Sequence, residues 1–410
     1  MMMLEAPAES AWRGYSLAER DRRWQAVRAN AAQAGFDAIF VPLCVDPRNL
    51  NLSLESSHGV RSDCRYLTQM ENAAFILPTD GRPPVVVNES GRGNAWLPEV
   101  RPVARGMRGS WAGAMADALL DLGLERARIG VSGLGRGKVT HTRAPDGVVN
   151  HSAYAEVLRR LPHATFADAT DVVGFARYVK GDEEIACLRR GALICEAGIA
   201  KMIEVARPGL DEAVFYARIM GRLLELGSEY YNVALTMGQI DEPLVRYIDP
   251  PIGRRLRPMQ LITNEVDAVW GGLVAQENQP VLLGPIPDAW QPVIALHEEM
   301  FAAGLERMRP GTLFGDFIDF INGYGQQRGL ASDLLMHGRG VGNDGPLLTP
   351  RDRGDRIRDV PIVENNVFVF KPFAMSADRR IQFVWGGNVL VTARGGERLA
   401  FRPHGLVSIT

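Results

Sequence analysis

Cysteine is scarce and unpatterned in this sequence. Cys44, Cys64, Cys187 and Cys195 are its four cysteines. No two stand in a C-x-x-C arrangement, which argues against a thiolate metal site or a disulfide framework. Buried small side chains in a reducing compartment are the expected fate. An excess of one charge is lacking too. The net charge is −2, without the basic stripe that a nucleic-acid partner would need. No apolar run approaches the roughly 20 residues of a membrane span. The stretch from Met1 to Arg23 carries Glu5, Glu9, Arg13, Glu19, Arg20, Asp21, Arg22 and Arg23. It has no apolar segment and is not expected to be a secretory signal. These absences predict a cytoplasmic protein with no nucleic-acid or membrane partner.

The chain has 410 residues, too many for one ordinary core, so two domains are expected, 1–175 and 176–410. Its 46% hydrophobic and 23% charged content is ordinary for a globular protein. The first part reads as α/β. Helical periodicity runs from Arg20 to Gly35 and again from Trp111 to Leu122. Strands are predicted at Asp37 to Pro42, Asn72 to Pro78 and Arg128 to Val131, with Pro84 to Val87 as the hairpin partner of the second. Alternating elements of this kind predict an open, helix-covered sheet. The polar stretch from Asn49 to Cys64 reads as a surface loop.

A long helix is expected from about Asp182, as N-cap, to Val205. An internal repeat follows. Arg207-Pro208-Gly209, Phe215, Ile219 and Gly227 recur as Arg309-Pro310-Gly311, Phe317, Ile321 and Gly329, offset by 102 residues throughout. Each copy reads as helix, Pro-Gly turn, helix and glycine stop. This is one duplicated unit and not a many-repeat solenoid.

Four stretches carry the candidate chemistry. Glu265 and Asp267 share one face of a strand, because strand side chains repeat every two residues. Gly271-Gly272 turns the chain back so that Gln276 or Glu277 returns beside them. His337 sits in Met336-His337-Gly338-Arg339-Gly340, and its imidazole could move protons near neutral pH. Lys371 ends a β-type run, Phe368 to Pro372, and could bind a carboxylate. The last such run, Phe383 to Thr392, contains no carboxylate at all.

The order and spacing of these stretches resemble the pita-bread superfamily of creatinase, prolidase, aminopeptidase P and methionine aminopeptidase. The duplicated unit fits that fold, whose halves are related by pseudo-twofold symmetry. The resemblance implies an α/β (α+β) architecture with a creatinase-like N-terminal domain, where Arg65-Tyr66-Leu67-Thr68 falls on a family motif, and a C-terminal pita-bread domain. Most relatives hold two metals with two Asp, one His and two Glu. Those five positions read here as Glu265, Gln276, His337, Lys371 and Gly386. Hard divalent cations want anionic oxygen, so no metal and no other cofactor is expected. The family's histidine before the first strand is also missing, since no histidine lies between His163 and His297. Arg246 and Tyr247 fall near its place. His297 has no second histidine at the zincin spacing and is dismissed as a metal ligand.

The resemblance implies a metal-independent hydrolase cleaving an amide- or amidine-type C–N bond in a small carboxylate-bearing molecule, as creatinase does. Glu265, Asp267, Glu277 and His337 are its candidate catalytic groups, with Glu277 able to take the place of Gln276 if the strand register slips by one. Lys371, Arg246, Tyr247, Gln276 and Arg65 are candidates for binding substrate. The hairpin lacks the arginine- and tyrosine-rich character expected of an ectoine hydrolase. A prolidase- or aminopeptidase P-type metallopeptidase, a lyase and a non-catalytic binding protein on the same fold are the alternatives. A homodimer is expected, with Arg65 a candidate contribution to the second subunit's site.

Overall fold

The computed structural model describes residues 14–43, 60–70, 73–97, 99–103, 110–139, 147–229, 231–240, 245–247, 253–350 and 354–410, the side chains of 60–62, 231–232 and 245–247 excepted. The chain divides into two compact units. Of the described residues, those within 14–183 and 341–345 make one, and those within 184–340 and 346–410 the other.

The N-terminal unit contains helices α1 (Leu17–Gln33), α2 (Val60–Thr68), α3 (Trp111–Asp121), α4 (His151–Arg160) and α5 (Thr170–Tyr178). Its strands are β1 (Ala38–Val41), β2 (Ala73–Pro78), β3 (Val85–Asn88), β4 (Val100–Pro102), β5 (Arg128–Val131) and β6 (Thr165–Asp168). They form one sheet in the order β4-β3-β2-β1-β5-β6, with β2 and β3 as the expected antiparallel hairpin. The expected loop from Asn49 to Cys64 is corrected at its end. Val60 begins α2, and residues 49–59 lie outside the described residues. The sequence hid this helix because its buried positions, Asp63, Cys64, Tyr66, Leu67 and Thr68, mix polar with apolar residues and give no clean helical period. Asp63, Arg177 and Asp344 form a buried ion cluster here, with Arg177 bonded to both carboxylates.

In the C-terminal unit each copy of the repeat is a helix pair. α6 (Asp182–Val205) and α7 (Glu212–Glu225) form the first, α8 (Gln291–Arg307) and α9 (Phe314–Gly323) the second. Asp182 is the first helical residue instead of the cap, a one-residue difference within the usual latitude of helix ends. The turn glycines Gly209 and Gly311 have φ of +84° and +89°, a region that glycine enters without penalty. Their amides donate to the carbonyls of Leu256 and Ile362, each at 2.8 Å. The two copies are thus tied to the following chain in the same way.

The strands are β7 (Tyr231–Gln239), β8 (Val245–Tyr247), β9 (Gln260–Trp270), β10 (Leu273–Asn278), β11 (Val281–Leu282), β12 (Ala331–Asp333), β13 (Met336–Gly338), β14 (Leu347–Leu348), β15 (Val367–Phe370), β16 (Phe373–Met375), β17 (Gln382–Val384), β18 (Gly386–Thr392), β19 (Gly395–Arg398) and β20 (Val407–Ser408). The large sheet runs β14-β13-β15-β18-β10-β9-β11-β20, with β7 also on β9. A small sheet runs β12-β16-β17. The expected single run from Phe383 to Thr392 is therefore two strands in two sheets. The break falls at Trp385 and Gly386, where φ is +152°. Phe314, Phe317, Phe368 and Phe370 are fully buried between α9 and β15, each contributing roughly 2–3 kcal/mol of hydrophobic stabilisation. That core fixes the strand from whose end Lys371 projects.

Candidate active site

The β9–β10 hairpin sets the register of the site. Gly271 and Gly272, at φ +61° and +75°, form its two-residue loop. Positive φ at both loop residues is what a type I′ hairpin turn requires. The loop pairs Trp270 with Leu273, and counting back places Gln276 opposite Asp267 and Glu277 opposite Val266. Directly opposed residues share a face, so Gln276 enters the site and Glu277 leaves it.

Four strands converge on Gln276. Its Nε2 donates to Asp267 Oδ1 at 2.9 Å. Its Oε1 accepts from Lys371 Nζ at 2.8 Å and lies 3.1 Å from His337 Nε2. Since an amide oxygen only accepts, His337 Nε2 carries the hydrogen of that bond. Lys371 also pairs with the Glu265 carboxylate. Arg339 reaches Asp267 Oδ1 at 3.4 Å. Asp267, Gln276, His337, Arg339 and Lys371 are buried, and Glu265 is the partly open member, its side chain 24% exposed.

Burial sets the proton affinities here. It pushes Asp267 up to about 6, against the pull of the Arg339 guanidinium and with help from the nearby Glu265 charge. Burial pulls the Lys371 ammonium below the usual lysine range, and the Glu265 carboxylate opposes that pull. The site therefore holds one partly exposed carboxylate, one buried carboxyl that titrates near pH 6, an imidazole and two fixed cations. Such a set can activate a water, donate a proton and hold an anion.

The donor set does not fit a divalent cation. Lys371 Nζ occupies the hydrogen-bonding direction of the Glu265 carboxylate that a cation would need. Gln276 contributes a neutral amide, and Asp267 is engaged by Gln276 and Arg339. Among the described residues no group of three or more His, Cys, Asp or Glu side chains is placed to hold a metal ion. A glutamate at 386 is sterically barred as well. A Cβ on Gly386 would stand 2.0 Å from the Phe370 carbonyl oxygen.

Glu277 belongs to a different cluster on the opposite face. Its Oε2 accepts from Arg402 at 2.8 Å and its Oε1 from the Asn388 amide at 3.0 Å. Arg402 also pairs with Glu196 on α6. Burial pushes Glu277 up to about 7 despite Arg402. Glu277 therefore does not join Glu265, Asp267 and His337. Asn388 links the two faces, because its Oδ1 accepts from the Gln276 amide at 2.6 Å. Arg65 lies on α2 of the N-terminal unit. Arg246 and Tyr247 form β8, paired with Thr236 and Leu235, and their side chains lie outside the described residues. Arg339 went unassigned in the sequence although it stands inside the motif quoted for His337.

A profile of metallopeptidase family M24 matches residues 186–393. The ectoine hydrolase of Halomonas elongata is 26% identical over 275 residues, 62% of this chain and 66% of that protein. The chain thus spans just under two-thirds of the length of that relative. The X-Pro aminopeptidase of Thermotoga maritima superposes with a TM-score of 0.71 at 16% identity, over 93% of this chain and 100% of that one. The Xaa-Pro dipeptidase of Bacillus anthracis gives 0.71 at 13%, over 95% and 99%. These structures establish the pita-bread fold over nearly the whole chain.

Proposed function

The chain belongs to metallopeptidase family M24, a family of hydrolytic enzymes, and from that premise we propose that it is a metal-independent hydrolase of a C–N bond in a small carboxylate-bearing molecule. The observation that carries this reading is the place of Lys371. Its ammonium bonds the Glu265 carboxylate and the Gln276 amide oxygen, at positions where the family resemblance implies metal ligands. A fixed ammonium there supplies positive charge to a developing oxyanion without a metal ion. Glu265, the partly exposed carboxylate, acts as general base on water. Asp267, poised near pH 6, or His337 supplies the proton to the leaving nitrogen. Lys371 and Arg339 make the floor of the site cationic, which suits an anionic substrate. The similarity to an ectoine hydrolase supports an amidine or amide as the scissile group.

Chelated protein assayed against ectoine, other cyclic amidines and N-acyl amino acids tests the reading, with released amine or carboxylate as the readout. Turnover of one such class that survives chelation is expected. Turnover of X-Pro dipeptides only, and only after Mn²⁺ or Co²⁺ is added, would replace it with a metallopeptidase.

A further inference from the structure

His297 and His404 have no part in the chemistry above. His297, on α8, is fully buried. Its Nε2 stands 2.9 Å from the Pro372 carbonyl oxygen, and its Nδ1 stands 2.8 Å from His404 Nε2. A carbonyl oxygen only accepts, so His297 Nε2 carries hydrogen. His297 Nδ1 is then the acceptor and His404 Nε2 the donor. The bonds run in one direction, from His404 through His297 to Pro372, and the His297 ring also bonds the Trp385 backbone. The rings are clamped. His297 stacks on Phe301 at 5.9 Å and meets the edge of Phe383 at 5.0 Å, and His404 packs on Trp385 at 4.8 Å.

The acceptor at the end of this chain is the residue after Lys371. Proline has a fixed φ, so a hold on its carbonyl is transmitted stiffly to the residue before it. On the other side, the Lys371 amide donates to the Leu335 carbonyl at 3.0 Å. The backbone that carries the ammonium is thus gripped on both sides.

We propose that His404 and His297 are positioning residues that place the Lys371 ammonium between Glu265 and Gln276; this rests on the reading of Lys371 as the resident cation. Burial holds His297 at about 3 and His404 at about 4. Both rings are neutral near pH 7, so the relay keeps one direction and transfers no net proton.

The chain has four lysines, Lys138, Lys180, Lys201 and Lys371, and seven histidines, few enough for site-resolved spectroscopy. Nitrogen-15 spectra of the histidine rings should show hydrogen on Nε2 and a bare Nδ1 in His297 between about pH 6 and 8. The titration of carbon-13-labelled Lys371, identified by its loss in Lys371→Met, is then compared among wild type, His297→Leu and His297→Gln. Leucine should move the Lys371 midpoint still further below the ordinary lysine value, by at least about half a unit, because the Glu265 carboxylate that opposes the effect of burial is no longer held against the ammonium. Glutamine, whose amide can still donate to Pro372, should restore it, even if both variants melt at lower temperature. Hydrogen on His297 Nδ1 in the wild type would overturn the proposal, and this measurement needs no variant to fold. An unchanged Lys371 titration in a folded His297→Leu would also overturn it and leave His297 a packing residue. The metal content of the same wild-type samples is measured in parallel. A bound divalent ion would defeat the proposed function, whereas a Lys371 midpoint indifferent to His297 would defeat the relay alone.

Discussion

Gln276 and Glu277 are neighbours on β10, yet they serve opposite faces with opposite logic. On the Glu277 face the charges are closed on one another, with Arg402 bonding two carboxylates and two backbone carbonyls. On the Gln276 face a carboxylate is left partly open beside two cations and an imidazole. Both faces bury ions, but only one leaves a charged group for a ligand. A buried carboxylate is therefore weak evidence of catalysis, and its partners decide its role.

Removing the cation from each face breaks this contrast most sharply. Lys371→Met should lower turnover of the substrate found in the panel by about 100- to 1000-fold, the usual effect of deleting a charge-stabilising donor. Its thermal stability should fall by less than the roughly 3–5 kcal/mol of a fully buried pair, because Glu265 is 24% exposed. Turnover within twofold of wild type would remove Lys371 from the chemistry. Arg402→Met should do the reverse. It leaves Glu277 and Glu196 uncompensated and should cost about 3–5 kcal/mol in denaturant unfolding, while turnover per folded molecule stays within about threefold. A large loss of turnover with intact stability would erase the distinction between the faces.

Gly386→Ala should destabilise by roughly 1–3 kcal/mol, since the new Cβ meets the Phe370 carbonyl and the backbone holds φ +152°. An unchanged unfolding midpoint would show that this strand break is not obligatory. The smallest effect is in pH dependence. The folded value of Glu277, about 7, lies above its unfolded value of 4.5. The folded state then holds a proton that the unfolded state has lost, so stability falls as pH rises from about 4.5 to 7. Asp267 acts in the same direction between 3.8 and about 6. Glu277→Gln should flatten the fall between pH 5 and 7.5 without abolishing it, and equal slopes in the two proteins would contradict this.

Much of this was legible in the sequence. The 102-residue repeat announced the two helix pairs, because Pro-Gly turns and glycine stops fix where helices end. Lys371 was readable as a candidate cation because it stands where the family resemblance places a glutamate before proline, but its direction was left open, since strand register is easily misjudged from sequence. The face of Glu277 was left open, although the Gly271-Gly272 loop settles it: a two-residue loop permits one register. The split at Trp385-Gly386 was hidden because an apolar run does not say which sheet it joins. His297 was set aside on zincin spacing, while its partner lies 107 residues away. Pairings of that range are set by packing and leave no local pattern.

The central claim is that Lys371, and not a divalent ion, neutralises the carboxylates of the site. Metal content by inductively coupled plasma mass spectrometry, after the purified protein is loaded with Mn²⁺, Co²⁺ or Zn²⁺ and desalted, tests it directly. The account predicts less than about a tenth of an equivalent for the wild type. One or two tightly held ions, lost when Glu265 or His337 is replaced, would contradict it and return the chain to the metal-dependent members of its family.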